Sequence, residues 1–244
     1  MPIWRGRMQN FLLSGNFRTN MEAMQESDPA WLRLPAELAM AAHQLREPLR
    51  MIRCYADLIT DPAEDAALCA TKIQESAIRL EARLTGMFEV LQLGEFVRLE
   101  KTDLARVVRH AVTRLAKPLR SSIFIHPLPS VQGDFEMLTE VFSRLIDNAC
   151  KFKRAEPVRI DVTAEEEPAS GKWRVSVADN GLGIEPARAE RSFDMFERLN
   201  GRDFPGEGLG LTYCRRAIEL HGGTIWIEST QGQGTAVCFT LPGG

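Results

Sequence analysis

What the sequence lacks narrows it first. No uninterrupted apolar run approaches the roughly 18 residues of a membrane span, and the N-terminus has no continuous signal core. Residues 1–98 carry 11 basic and 13 acidic side chains and residues 99–244 carry 19 and 20. Neither half therefore has the basic stripe of a nucleic-acid binder. The five cysteines (Cys54, Cys69, Cys150, Cys214 and Cys238) are odd in number and contain no C-x-x-C pair, which argues against a disulfide framework or a structural zinc site. What is there is ordinary for a globular protein: 44% hydrophobic and 26% charged residues over 244 positions, enough for one large domain or two modest ones. The expectation is a soluble, cytoplasmic, two-domain protein with neither nucleic acid nor a membrane span.

Residues 1–30 are poorly patterned and receive no role. From Pro35 the pattern sharpens: Leu38, Ala42, Leu45, Leu49, Ile52, Ala56 and Ile59 alternate steps of four and three, a heptad seam that asks for a partner helix. Thr60-Asp61-Pro62 breaks that helix. A second seam runs through Ala66, Ala70, Ile73, Ala77, Leu80, Leu84, Met87 and Leu91 and stops near Gly94. Two seamed helices on a short turn predict an antiparallel hairpin over 31–97. One hairpin leaves its seam half covered, so a homodimer closing a four-helix bundle is the economical solution; a monomeric bundle using residues 1–30 is the alternative.

After Gly94 the texture is mixed. Leu104–Ala116 and Phe135–Cys150 read as helices, and Val158–Thr163, Trp173–Ala178, Thr224–Glu228 and Ala236–Leu241 as strands. Residues 165–171 read as a solvated connection, and a helix ends at His221, closed by Gly222-Gly223. The predicted fold class is an α-helical hairpin followed by an α+β domain over 98–244.

Three local features there carry chemistry. Val177–Ile184 is a strand entering a glycine turn with Asp179 at its lip, where a carboxylate could accept a bond from an exocyclic amine; a plain Asp-Asn-Gly turn is the alternative. Pro205–Leu211 is a triple-glycine loop feeding a helix, a natural phosphate cradle or else a flexible surface segment. It lacks the Walker A spacer and Lys-Ser/Thr pair. Asn148 and Lys151 share a helix face, where a carboxamide oxygen could ligate Mg²⁺ and an ammonium could pair with phosphate.

In this order the features resemble the ATP-binding domain shared by sensor histidine kinases, gyrase-type topoisomerases and certain heat-shock chaperones (GHKL type). Asn148-Ala149-x-Lys151-Phe152 resembles the N box, Asp179-x-Gly181-x-Gly183 the first glycine box, Phe193-x-x-Phe196 the F box and Gly206-x-Gly208-Leu209-Gly210-Leu211 the second glycine box. His221-Gly222-Gly223 and Gly232-Gln233-Gly234-Thr235 match the closing elements. The resemblance implies a two-layer α+β sandwich that takes ATP and Mg²⁺. Asp179 would bind the adenine amino group, Asn148 would hold Mg²⁺, Lys151 and Arg198 would face the phosphates, and Thr235 would lie behind the adenine. Gly206, Gly208 and Gly210 would let the loop close. Arg144 departs from the family's frequent second asparagine, and a guanidinium cannot ligate a cation.

Upstream, Ala42-His43-Gln44-Leu45-Arg46-Glu47-Pro48-Leu49-Arg50 resembles the phospho-acceptor box of sensor histidine kinases, particularly the phytochrome-like group. That implies autophosphorylation of His43 from Mg-ATP and transfer to an aspartate of a response regulator, with input from an upstream sensor protein. Pro48 removes a backbone donor and frees the Gln44 carbonyl. The family usually has an acid after the histidine; here Gln44 cannot serve as a base. Glu47, four residues on and near the same helix face, is expected to orient or deprotonate His43; the alternative is an intrinsically slow autophosphorylation. The rival readings are a phosphotransfer adaptor without nucleotide and a pseudokinase scaffold that binds ATP but seldom transfers phosphate.

Overall fold

The computed structural model describes residues 36–59, 65–93, 97–115, 122–197, 204 and 206–244, with side chains from residue 42 onward. By contacts the chain divides into Met1–His43, of which the opening of the first helix is described, and Gln44–Gly244. Among the described residues no helix is long and apolar enough to cross a membrane. The Thr60-Asp61-Pro62 break, Arg198 and the poorly patterned residues 1–30 lie outside the described residues.

Helices α1 (Ala36–Leu58) and α2 (Ala66–Leu91) occupy the two seamed runs. Asp65 starts α2, its carboxylate accepting from the Ala67 and Leu68 amides at 2.9 and 3.2 Å and satisfying two orphan donors of the first turn. Arg83, late in α2, reaches the Gln44 carbonyl and the Glu47 carboxylate in the first half of α1, which sets the two helices antiparallel. The fully buried stripe of α2 is Cys69, Ser76, Arg83 and Val90, seven residues apart. The seam read from the sequence is adjacent to that stripe, and none of its described residues is fully buried in one chain: Leu91 is 53% exposed, and Ile59, just past α1, is 39% exposed.

The remainder is a mixed sheet with helices packed on it. Strands β1 (Glu100–Asp103) and β3 (Ser130–Gly133) form a two-stranded antiparallel ribbon. The main sheet has order β2-β4-β5-β7-β6, from β2 (Ile123–Ile125), β4 (Ile160–Glu167), β5 (Lys172–Asp179), β6 (Ile225–Thr230) and β7 (Gly234–Pro242). Among the described residues, the β2–β4 pairing alone is parallel. The helices are α3 (Leu104–Thr113), α4 (Phe135–Lys151), the short α5 (Pro186–Ala189) with a 3₁₀ turn at Glu190–Phe193, and α6 (Gly210–Leu220).

Period-2 burial explains the layer. Ile160 and Val162 of β4, and Val175 and Val177 of β5, face a core completed by Leu138, Phe142 and Ile146 of α4. The Phe142 and Phe239 rings meet edge-on at 5.7 Å and join α4 to β7.

The sequence reading needs one correction. Glu165, Glu166 and Glu167, expected in a solvated connection, are the end of β4, in register with Arg174, Trp173 and Lys172. Two of the three acids therefore stand opposite cations across the ladder, which offsets the poor strand propensity of an acidic run.

Candidate functional site: a nucleotide pocket between sheet, glycine loop and helix

Asp179 is the last residue of β5, where the strand hands the chain to Asn180-Gly181. Its Oδ1 accepts from the Gly181 amide at 2.7 Å and the Thr235 amide of β7 at 3.3 Å. Both bonds fall on one oxygen, so Oδ2 has capacity for a ligand's donor. Burial pushes the Asp179 carboxyl above the ordinary carboxylate value, outweighing the two N–H bonds that pull it down. Asn180 is structural: its Oδ1 accepts from the Arg159 amide and its Nδ2 donates to the Pro157 carbonyl. Gly183 cannot be replaced cheaply, because φ is +70° and a Cβ would come 2.1 Å from the Thr230 carbonyl oxygen.

Asp134 caps α4, accepting from the Glu136 and Met137 amides, and the helix carries Asn148 and Lys151 on its last turns. The Lys151 ammonium pairs with Asp147 at 2.5 Å and lies 3.9 Å from where a Cβ on Gly206 would stand. The glycine loop is anchored at its base. The Phe196 amide donates to the Gly208 carbonyl at 2.9 Å, and a Cβ on Gly208, where φ is +74°, would meet Phe196 and Glu197 backbone within 3 Å. Phe193 and Phe196 are buried, so the F box positions this loop from below. Thr235 Oγ1 is 3.1 Å from Ser229 Oγ.

These parts line one cavity of about 640 Å³, large enough for a nucleotide. Asn148, Lys151, Asp179, Gly183, Gly206, Gly208, Gly210, Leu211 and Thr235 all contribute to its wall, whereas Gly181 shapes Asp179 without lining it. The fourth wall was not legible in the sequence. It is α2, through Ile78, Glu81, Ala82, Thr85, Gly86 and Glu89. Gly86, the one glycine of α2, was the available signal: a Cβ there would come 2.6 Å from Leu209 Cδ1 of the glycine loop.

Arg144 lines the cavity, but its guanidinium is held by protein groups. It pairs with Glu89 of α2 and with Glu140, each at 2.8 Å, and its guanidinium sits 4.2 Å over the Tyr213 ring. Among the described lining residues six carboxylates (Glu81, Glu89, Asp147, Asp179, Glu197 and Glu207) face two cations, Arg144 and Lys151. A polyphosphate entering such a cavity needs its charge neutralised, and the Asn148 carboxamide offers a neutral hard oxygen that fits a Mg²⁺ shared with phosphate. No cluster of three His, Cys, Asp or Glu side chains forms a metal site among the described residues.

His43 is exposed on α1, Gln44 is half-buried, and Glu47 lies 3.5 Å from the Arg83 guanidinium. His221 is buried, accepting from the Asp134 amide on Nε2 at 2.9 Å, while its Nδ1 lies 2.7 Å from the Ala217 carbonyl.

Residues 133–244 match the family of histidine kinase-, DNA gyrase B-, and HSP90-like ATPases. The chain is 31% identical over 215 residues to cyanobacterial phytochrome A of Nostoc sp. (strain PCC 7120 / SAG 25.82 / UTEX 2576), covering 84% of this chain and 28% of that one. It is 27% identical over 219 residues to the sensor protein kinase WalK of Staphylococcus aureus, covering 84% and 52%. Among solved structures it is similar to full-length ShkA in complex with AMPPNP, with a TM-score of 0.56 and 26% identity over 85% of this chain and 46% of that one. The chain thus spans between about a quarter and half of the length of these relatives.

Proposed function

On the premise that the chain is a sensor histidine kinase core with phytochrome-like relatives, its residues 133–244 an ATPase domain of that family, we propose that it phosphorylates itself on His43. The phosphoryl group would come from ATP and pass on to an aspartate of a response regulator. The observation that carries this reading is the convergence of Asp179, Asn148, Lys151 and the Gly206–Gly210 loop on one cavity.

In this reading residues 98–244 bind the nucleotide. Asp179 Oδ2 accepts from the adenine amino group, Thr235 backs the ring, and Lys151 and Arg198 face the phosphates. Asn148 would hold a Mg²⁺ brought in with the nucleotide, and that ion would supply charge neutralisation. Residues 31–97 supply the acceptor, and the exposure of His43 is what two successive partners require. The imidazole nitrogen of His43 forms the P–N bond as the bond from the γ-phosphorus to the ADP oxygen breaks, and the imidazole proton passes to a nearby base. Glu47 fills that role in place of residue 44. In the second step the P–N bond breaks and an aspartate oxygen of the regulator takes the phosphorus. Catalysis of this kind is mostly positioning and charge neutralisation.

The half-covered seam of the hairpin, with Leu91 and Ile59 at the surface, supports a homodimer through it. One observation favours a second reading, a scaffold that binds ATP and seldom transfers it: Arg144, paired with Glu89 and Glu140, offers no oxygen to a metal. Incubation with γ-labelled ATP and Mg²⁺ decides between them. Label on the wild-type chain and none on His43→Ala supports the kinase; nucleotide binding without label leaves the scaffold.

A further inference from the structure

We propose that Arg83 is a positioning residue, a single guanidinium that ties the turn following His43 to the glycine loop of the nucleotide pocket. In an unbroken helix the Gln44 carbonyl would accept from the amide of residue 48, but Pro48 has none. Arg83 supplies the missing donor, Nη1 bonding to the Gln44 carbonyl. The same nitrogen lies 3.5 Å from Glu47 Oε2, and Nε donates to Glu207 Oε2 of the glycine loop at 2.7 Å.

The residue's place makes this costly. Arg83 belongs to the buried stripe of α2 beside Cys69, Ser76 and Val90, and its side chain is 10% exposed. An apolar residue of similar volume would pack there without desolvating a charge, so stability alone does not call for arginine. What arginine offers is a rigid fork with acceptors on two sides. One turn later Gly86 lets Leu209 approach α2, so helix and loop meet at two successive levels. One cation is shared between Glu47 and Glu207, on opposite partners. A displacement of the loop therefore shifts that cation's balance toward α1 and acts on the Gln44 carbonyl. This inference deepens the kinase reading and rests on it for the loop's ligand, but the tie itself is a property of the nucleotide-free chain.

Hydrogen exchange on the full chain tests it. Losing a hydrogen bond to a charged group corresponds to about tenfold or more in local opening. In nucleotide-free protein, Glu207→Gln should speed exchange at the amides between Leu45 and Leu49 by about that factor while the denaturation midpoint holds. Change confined to the glycine loop would overturn the tie. With saturating Mg-ADP, the wild type should change its exchange in both segments, and Arg83→Met should respond in the loop alone, with Arg83→Lys intermediate. An undiminished response between Leu45 and Leu49 in Arg83→Met would equally overturn it. If Mg-ADP alters neither segment of the wild type, the nucleotide reading has failed, and the nucleotide-free comparison still decides the role of Arg83.

Discussion

Arg144 Nη2 lies 2.8 Å from Glu89 Oε2, so the residue standing where related N boxes often carry a second asparagine is an ion-pair strut between α4 and α2. Arg144→Asn removes that pair, the pair with Glu140 and the contact with the Tyr213 ring, while offering a carboxamide oxygen to the cavity. The variant should lose about 1–3 kcal/mol of stability in chemical denaturation, the range for a partly buried, charge-assisted contact. It should also bind Mg-ATP more tightly in calorimetry. Unchanged stability would mean that the strut carries no weight.

Asp179→Asn tests the adenine contact. The asparagine oxygen can still accept from Gly181 and Thr235, so the fold should survive, whereas a charge-assisted bond worth about 1.5–3 kcal/mol to the ligand is lost. ADP affinity should fall about 10- to 100-fold. The pH dependence has a definite sign. The folded-state pKa of Asp179 is raised, chiefly by burial, so its contribution to stability is full below the unfolded value near 3.8 and is lost as pH rises through the folded value. Nucleotide binding runs the other way, because the carboxylate must be ionised to accept from the amino group. ADP affinity of the wild type should therefore begin to fall, on acidification, at a pH above 3.8, and Asp179→Asn should lack that limb.

The proton acceptor for His43 is tested by an exchange of roles. Glu47→Ala should slow the labelling of His43, and Gln44→Glu should accelerate it, each by up to the ~10²–10⁴-fold that a positioned base contributes. Nucleotide affinity, measured in parallel, should stay level in Gln44→Glu. Normal labelling in Glu47→Ala together with no gain in Gln44→Glu would remove Glu47 from the mechanism.

The glycine boxes and the Asn148–Lys151 helix face could be read from residue types alone, because each encodes a local constraint. Gly183 and Gly208 must adopt positive φ against neighbouring backbone, and i, i+3 spacing puts two side chains on one face. The two helices of the hairpin were legible for the same reason, from apolar residues spaced three and four apart. Three things were not. The strand β2 has three residues, too few for a period to register. Glu165–Glu167 join β4 only because Arg174 and Lys172 stand opposite, a long-range fact. The role of α2 as a pocket wall rests on Gly86 meeting Leu209 and Arg83 meeting Glu207, pairs more than a hundred residues apart in the chain.

His221, at the C-terminal end of α6, joins that helix to the start of α4, and its protonation should be visible in stability. The ring is buried, accepting from the Asp134 amide on Nε2 and lying 2.7 Å from the Ala217 carbonyl on Nδ1, which fixes the neutral tautomer with the proton on Nδ1. Asp134 in turn caps α4, the helix that carries Asn148. Burial lowers the His221 pKa below its ordinary value of 6.5, against the Ala217 bond and the Asp134 charge that raise it. A group with a depressed folded pKa contributes stability that is present above its unfolded value and is lost as pH falls toward the folded one. Unfolding free energy should thus decline on acidification from pH 6.5, because charging Nε2 destroys the acceptor for the Asp134 amide. His221→Leu should cost about 1–3 kcal/mol at pH 8, the penalty for leaving that amide without a partner. It should also flatten the decline below pH 6.5, since nothing at that position is left to titrate. A variant that is destabilised yet keeps the wild-type acid limb would assign the limb to other groups and leave His221 a purely packing role.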